Sequence, residues 1–192
     1  MKRRQLLAAA AAVLAVACLT VFLELRTYRV RPDRSNLARC VTEFYNRGYS
    51  GTYDPILTLC GSVTLGRETI VALDLDGKLG RVLLEENPLG WYKITGLGCG
   101  GGSFRCGSRT VDGETYLLLE GRNLLGEIAA VGYTFPDGSA ARLEVPPGQV
   151  FLMCAPALDP DWDGDVSMAH VTLWDDAGAD ITDRYDLSGG GI

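Results

Sequence analysis

Thr69-Ile70-Val71-Ala72-Leu73-Asp74-Leu75-Asp76-Gly77-Lys78-Leu79-Gly80-Arg81-Val82-Leu83-Leu84-Glu85 decides the fold. Two runs rich in β-branched and aliphatic residues flank Asp76-Gly77. A two-residue Asp-Gly loop between such runs is the strongest local signal for a β-hairpin. The same pattern repeats along the chain. Ile56–Val63, Trp91–Thr95, Thr115–Glu120, Ile128–Phe135, Ala140–Val145, Val150–Cys154, Ala169–Trp174 and Ala179–Asp183 read as further strands. Asn87-Pro88-Leu89-Gly90, Asp112-Gly113, Asp137-Gly138 and Asp176-Ala177-Gly178 separate many of them. About nine or ten short strands at this rhythm predict a mostly β protein, an antiparallel sandwich or barrel. Strands do not alternate with helices, which argues against a doubly wound nucleotide fold.

Before the first strand the texture is helical. Leu37, Cys40, Val41, Phe44 and Tyr45 fall on one stripe, with Asp33 or Ser35 as the expected cap and Arg47-Gly48 as the stop. Further back, Leu6 to Leu23 is an 18-residue run in which only Thr20 is not apolar. As a helix it covers roughly 27 Å, enough to cross a hydrocarbon core. A secretory signal cut at Ala15-Val16-Ala17, or a lipoprotein acylated at Cys18, would leave a mature chain that starts on an apolar stretch. An uncleaved anchor accounts for the whole run. Lys2-Arg3-Arg4 ahead of it reads as a short cytoplasmic tail, which places the remaining domain outside the membrane.

The expected organisation is therefore in three parts. Residues 1–31 form a tail, a membrane-spanning signal anchor over about 6–23 and a basic juxtamembrane segment. Residues 32–122 form one short helix and an antiparallel β-meander. Residues 123–192 form an Ig-like, β-sandwich-type region, whose rhythm is set by Pro136-Asp137-Gly138 and Pro146-Pro147-Gly148. With no flexible linker between them, the last two read as packed subdomains.

The anchor, the single helix and segments such as Ile70–Gly77, Gly90-Trp91-Tyr92-Lys93-Ile94 and Val131-Gly132-Tyr133-Thr134-Phe135-Pro136-Asp137-Gly138 carry a resemblance. In these the chain resembles small signal-anchored exported β-domain proteins of Gram-positive bacteria. The resemblance implies a location and a fold, and no chemistry.

Composition narrows the function classes. At 47% apolar and 22% charged residues, the chain is globular rather than disordered. A net charge of −6 argues against a broad nucleic-acid surface. One histidine, His170, leaves little for metal clusters or a hydrolytic triad. Charge is unevenly placed: residues 1–39 hold eight of the 18 lysines and arginines, while nine acids and only Arg184 follow from Asp159 onward. That arrangement suits a tethered domain with a basic segment near anionic headgroups and an acidic end away from them, and it equally suits solubility alone.

Asp159-Pro160-Asp161-Trp162-Asp163-Gly164-Asp165 has the opening of a calcium loop. Carboxylates stand at alternate positions and a glycine at position six. Asp159, Asp161, Asp163 and Asp165 are the candidate ligands for Ca²⁺. The closing position falls on His170, a poor ligand for calcium, and an Asp-rich turn accounts for the same residues. Cys99 and Cys106 flank a glycine-rich stretch that could close as a small disulfide ring, and Cys40–Cys60 is a second conceivable bridge. Cys154 reads as a small buried hydrophobe. Glu85 and Glu86 are adjacent and point to opposite faces, so they make no acid–base pair. Gly96, Gly98 and Gly100 to Gly102 read as a loop lacking the ending of a phosphate loop. No catalytic constellation emerges and no cofactor is expected beyond that Ca²⁺. The expected function is a membrane-anchored binding module for a protein or envelope partner, with a cell-envelope enzyme or a calcium-stabilised structural module as alternatives.

Overall fold

Two of the Asp-Gly loops close their hairpins as type I′ turns. Asp76 and Gly77 take φ of 51° and 75°, and Asp112 and Gly113 take 53° and 87°. Both central residues are left-handed, which matches the twist of the flanking strands. The computed structural model describes residues 2–48, 52–100, 102–159 and 161–187, with the side chains of 2–4 and 6–10 outside the description. It contains α1 (Lys2–Thr27), α2 (Leu37–Tyr45), β1 (Leu57–Leu65), β2 (Glu68–Leu75), β3 (Lys78–Glu86), β4 (Tyr92–Gly100), β5 (Phe104–Val111), β6 (Glu114–Arg122), β7 (Ala130–Thr134), β8 (Ala140–Glu144), β9 (Val150–Pro156) and β10 (Val171–Trp174). The protein is mostly β, with antiparallel pairing throughout these sheets and two α-helices.

The strands form three sheets: β1-β2-β3-β4, β5-β6-β9 and β10-β7-β8. Side-chain parity stacks them. Val71, Leu73, Leu75, Val82 and Leu84 of the first sheet pack under Leu37, Cys40 and Val41 of α2. Ile70, Ala72 and Leu79 point the other way, onto Leu118, Val150 and Leu152 of the middle sheet. Phe104, Leu117, Leu119, Phe151 and Met153 leave the middle sheet's far face to meet Val131, Tyr133, Val171 and Leu173 of the outer sheet. The order is helix, sheet, sheet, sheet. β2 and β6 are buried on both faces, which is why they read as continuous apolar runs rather than alternating ones.

Several expectations change. The expected division after Arg122 is crossed by the middle sheet, where β6 pairs with β9 over Tyr116↔Pro156 to Arg122↔Val150. Leu118 and Leu119 are covered on opposite faces of this sheet. The Ig-like region instead contributes to a three-plus-three packing that borrows β5 and β6, rather than the seven-stranded arrangement of an Ig domain. The glycine-rich stretch is not a loop until its end, since β4 runs through Gly96, Gly98 and Gly100 paired to β3. Close packing explains a glycine here: a Cβ on Gly80, opposite Cys99, would come within 2.7 Å of Leu73 Cδ1. Ala179–Asp183 is no strand, only a bridge from Asp180 to Trp174 and a 3₁₀ turn over Thr182–Arg184. The expected cap residues bond to each other, Ser35 N–H donating to Asp33 Oδ1. Asn36 holds the cap position and its side chain turns back to Arg29 and Arg31.

Helix α1 is continuous from Lys2 to Thr27. Among the described residues no helix is long and apolar enough to cross a membrane. Residues 6–10 of the expected span lie outside the residues whose side chains are described.

Candidate functional site: a basic hollow beside the first helix

The chain leaves α1 without a slack linker. Tyr28 is buried at once, and Val30 pairs with Tyr92 through both backbone bonds, at 3.0 and 2.9 Å. This strap lays the end of α1 beside α2 and the start of β4. Between the three elements lies a hollow of ≈ 270 Å³. Its charged walls are Arg26 and Arg29 from the helix end and strap, Arg47 after α2, Lys93 of β4, and a single carboxylate, Glu43. Cys40, Phe44, Tyr92 and Ile94 supply the apolar wall.

The cations are unequally engaged. Lys93 Nζ stands 3.0 Å from Glu85 and over the Tyr28 ring, and the Glu85 carboxylate holds its pKa up. Arg29 is 3.5 Å from Glu43, which Arg39 also contacts. Arg26 and Arg47 have no carboxylate partner among the described residues; each lies over an aromatic ring, Phe22 at 5.7 Å and Phe44 at 4.8 Å. Burial pushes the Cys40 thiol up, so it stays neutral against the Arg29 carbonyl, 3.8 Å away. The wall can therefore donate charge-assisted hydrogen bonds to an anion through two arginine forks not held by carboxylates.

The residues expected to carry chemistry lie elsewhere. In the loop that carries Asp159, Asp161, Asp163 and Asp165 the structure shows the hydrogen bonds of an Asp-rich turn. Trp162 plunges into the core against Tyr133 and Phe135, and its indole N–H donates to the Asp165 carbonyl at 2.8 Å. Asp159 Oδ1 accepts from Asp161 N–H and Asp163 Oδ1 from Asp165 N–H, both at 2.9 Å. The carboxylates thus serve turns, and among the described residues no three His, Cys, Asp or Glu side chains group to hold a metal ion. Asp159 and Trp162 also border a second hollow of ≈ 390 Å³ with Glu114 and Thr115.

The expected Cys99–Cys106 bridge is not formed. Cys99 sits on β4 against the core under α2, whereas Cys106 sits on β5 in the core between the middle and outer sheets; both are free thiols. Cys40 and Cys60 belong to opposite faces of the first sheet. His170 lies in a 3₁₀ turn before β10, exposed, its Nδ1 3.0 Å from the Thr134 carbonyl.

Sequence reasoning found the arginines that follow the apolar run but not Arg47 or Lys93 as their partners. Lys93 reaches the hollow only because Tyr92 pairs with Val30, and no local pattern encodes that pairing. No family model, no curated protein and no solved structure matches the chain.

Proposed function

We propose that this protein is a membrane-anchored, extracytoplasmic binding module whose β domain is held directly against the leaflet it leaves. The observation that carries the reading is the join. Helix α1 passes within one residue into the buried Tyr28 and then into the Val30–Tyr92 pair. A chain built to project a domain far from its tether would place a polar, flexible linker there. The apolar run 6–23 and the short basic tail support the anchor and its orientation, as does the resemblance to small exported proteins. The basic hollow faces this join, while the acidic residues after Asp159 belong to the other end of the stack, beyond the middle sheet.

Protease added to intact cells tests the proposal. The expected result is loss of the domain, with the residual anchor in the membrane fraction. Survival of the domain until lysis overturns the topology, and recovery of the intact chain in the soluble fraction overturns the anchor.

A further inference from the structure

We infer that the hollow between α1, α2 and β4 is a binding site for a phosphate-bearing anion at the membrane surface, gripped by Arg26 and Arg47. The inference rests on the anchored reading above for its location, and on the geometry of the hollow for its chemistry.

Four cations and one carboxylate line the space, and two of the carboxylate-binding interactions that would neutralise it are missing at Arg26 and Arg47. Arginine's planar fork matches phosphate oxygens in pairs. The aromatic rings beneath Arg26 and Arg47 orient both guanidinium groups without consuming their donors. At ≈ 270 Å³ the hollow lies just below the usual range of a drug-sized pocket, about 300–1,000 Å³, so it suits a headgroup and not a whole lipid. Depth agrees. Arg26 follows Leu23 by three residues, about 4.5 Å of helix. The headgroup layer adds roughly 5–8 Å to each side of the hydrocarbon core. With the apolar run spanning that core, Arg26 lies at the level of the phosphates. The apolar wall of Phe44, Tyr92 and Ile94 suits the glycerol stem behind such a phosphate.

Calorimetric titration of the full chain in neutral maltoside micelles tests the site, with dihexanoyl phosphatidylglycerol as one probe and inorganic phosphate as the other. Saturable binding of the lipid probe is expected. Removing any two juxtamembrane charges weakens attraction to an anionic surface by about fivefold each. The deciding comparison is therefore between Arg26→Gln/Arg47→Gln and Arg31→Gln/Arg39→Gln, which removes equal charge outside the hollow. The first pair should lose at least tenfold more affinity than the second, and Arg26→Lys/Arg47→Lys should fall between wild type and the Gln pair. Inorganic phosphate binding as well as the lipid probe supports the site with a free anion as its source. No binding of either probe, or equal losses in the two Gln pairs, overturns it. Carbonate extraction of the wild type from phosphatidylcholine vesicles is read separately: release of the chain overturns the anchor and leaves the titration interpretable.

Discussion

Arg81 of β3 and Glu120 of β6 form a buried ion pair, 2.7 Å from Nη1 to Oε1, across the boundary between the first and middle sheets. Glu120 is almost completely enclosed, and its second oxygen has no partner among the described residues. Two more ion pairs span the same boundary, the two-pronged Arg109–Glu68 and Arg122–Asp74. The apolar patch there, Ile70, Ala72 and Leu79 on Leu118, Val150 and Leu152, is small for two sheets. The three ion pairs add polar contacts between the two sheets beside it.

Burial pushes the Glu120 carboxyl above its usual 4.5, against the pull of Arg81. A carboxyl raised on folding contributes fully below its unfolded pKa and loses that contribution as pH rises through the folded one. Glu120→Gln stays neutral throughout. The wild type should therefore lose stability relative to Glu120→Gln as pH rises from about 4 towards neutral. Paired thermal melts across that range check it; a gap that moves the other way would mean the ion pair outweighs burial.

Arg81→Met should destabilise strongly at neutral pH, because it leaves Glu120 enclosed without its partner. Breaking a buried pair costs about 3–5 kcal/mol, and the neighbouring Arg105 places this case near the lower end. Urea denaturation of both proteins measures it.

Gly132→Ala should cost about 1–3 kcal/mol through overpacking. The new Cβ would lie 2.5 Å from Trp174 Cη2 and 2.9 Å from the Ala141 carbonyl oxygen, and backbone cannot step aside. Gly61→Ala, with nothing within 4 Å, should change stability by less than about 0.5 kcal/mol. Equal effects in the two melts would contradict this packing.

Cys106 should resist alkylation in the folded protein. Burial pushes its thiol up to about 11, so at pH 8 about one molecule in a thousand carries the thiolate. Iodoacetamide labelling followed by peptide mapping should show Cys106 modified only after unfolding, and no peptide joining it to Cys99.

Calcium up to about 5 mM, well above the affinity range of weak extracellular sites, should leave the melting temperature unchanged. Asp159 Oδ1, Asp163 Oδ1 and the Asp165 backbone carbonyl accept hydrogen bonds within the loop, which hold the turn without an ion. A saturable rise in melting temperature would restore the metal reading.

The sequence by itself determined the elements whose causes are local. Asp76-Gly77 and Asp112-Gly113 favour left-handed residues and receive them, so both turns form, although the strand that enters the second was not among the expected ones. The stripe from Leu37 to Tyr45 makes α2 because its apolar spacing fits a helix face. Which strands share a sheet was decided elsewhere. β2 and β6 are apolar on both faces, so their pattern says that each is covered twice and not by what. β5 hid its nature because one of its faces carries Arg105, buried beside Glu120, and Arg109, half-exposed and paired with Glu68 of the first sheet. The hollow was illegible for the same reason. Arg26, Arg47 and Lys93 are far apart along the chain, and only the Val30–Tyr92 pairing and the packing of α2 on the first sheet bring their charges into one space. Turn chemistry acts over a few residues and can be read there; the meeting of distant side chains depends on how whole layers stack.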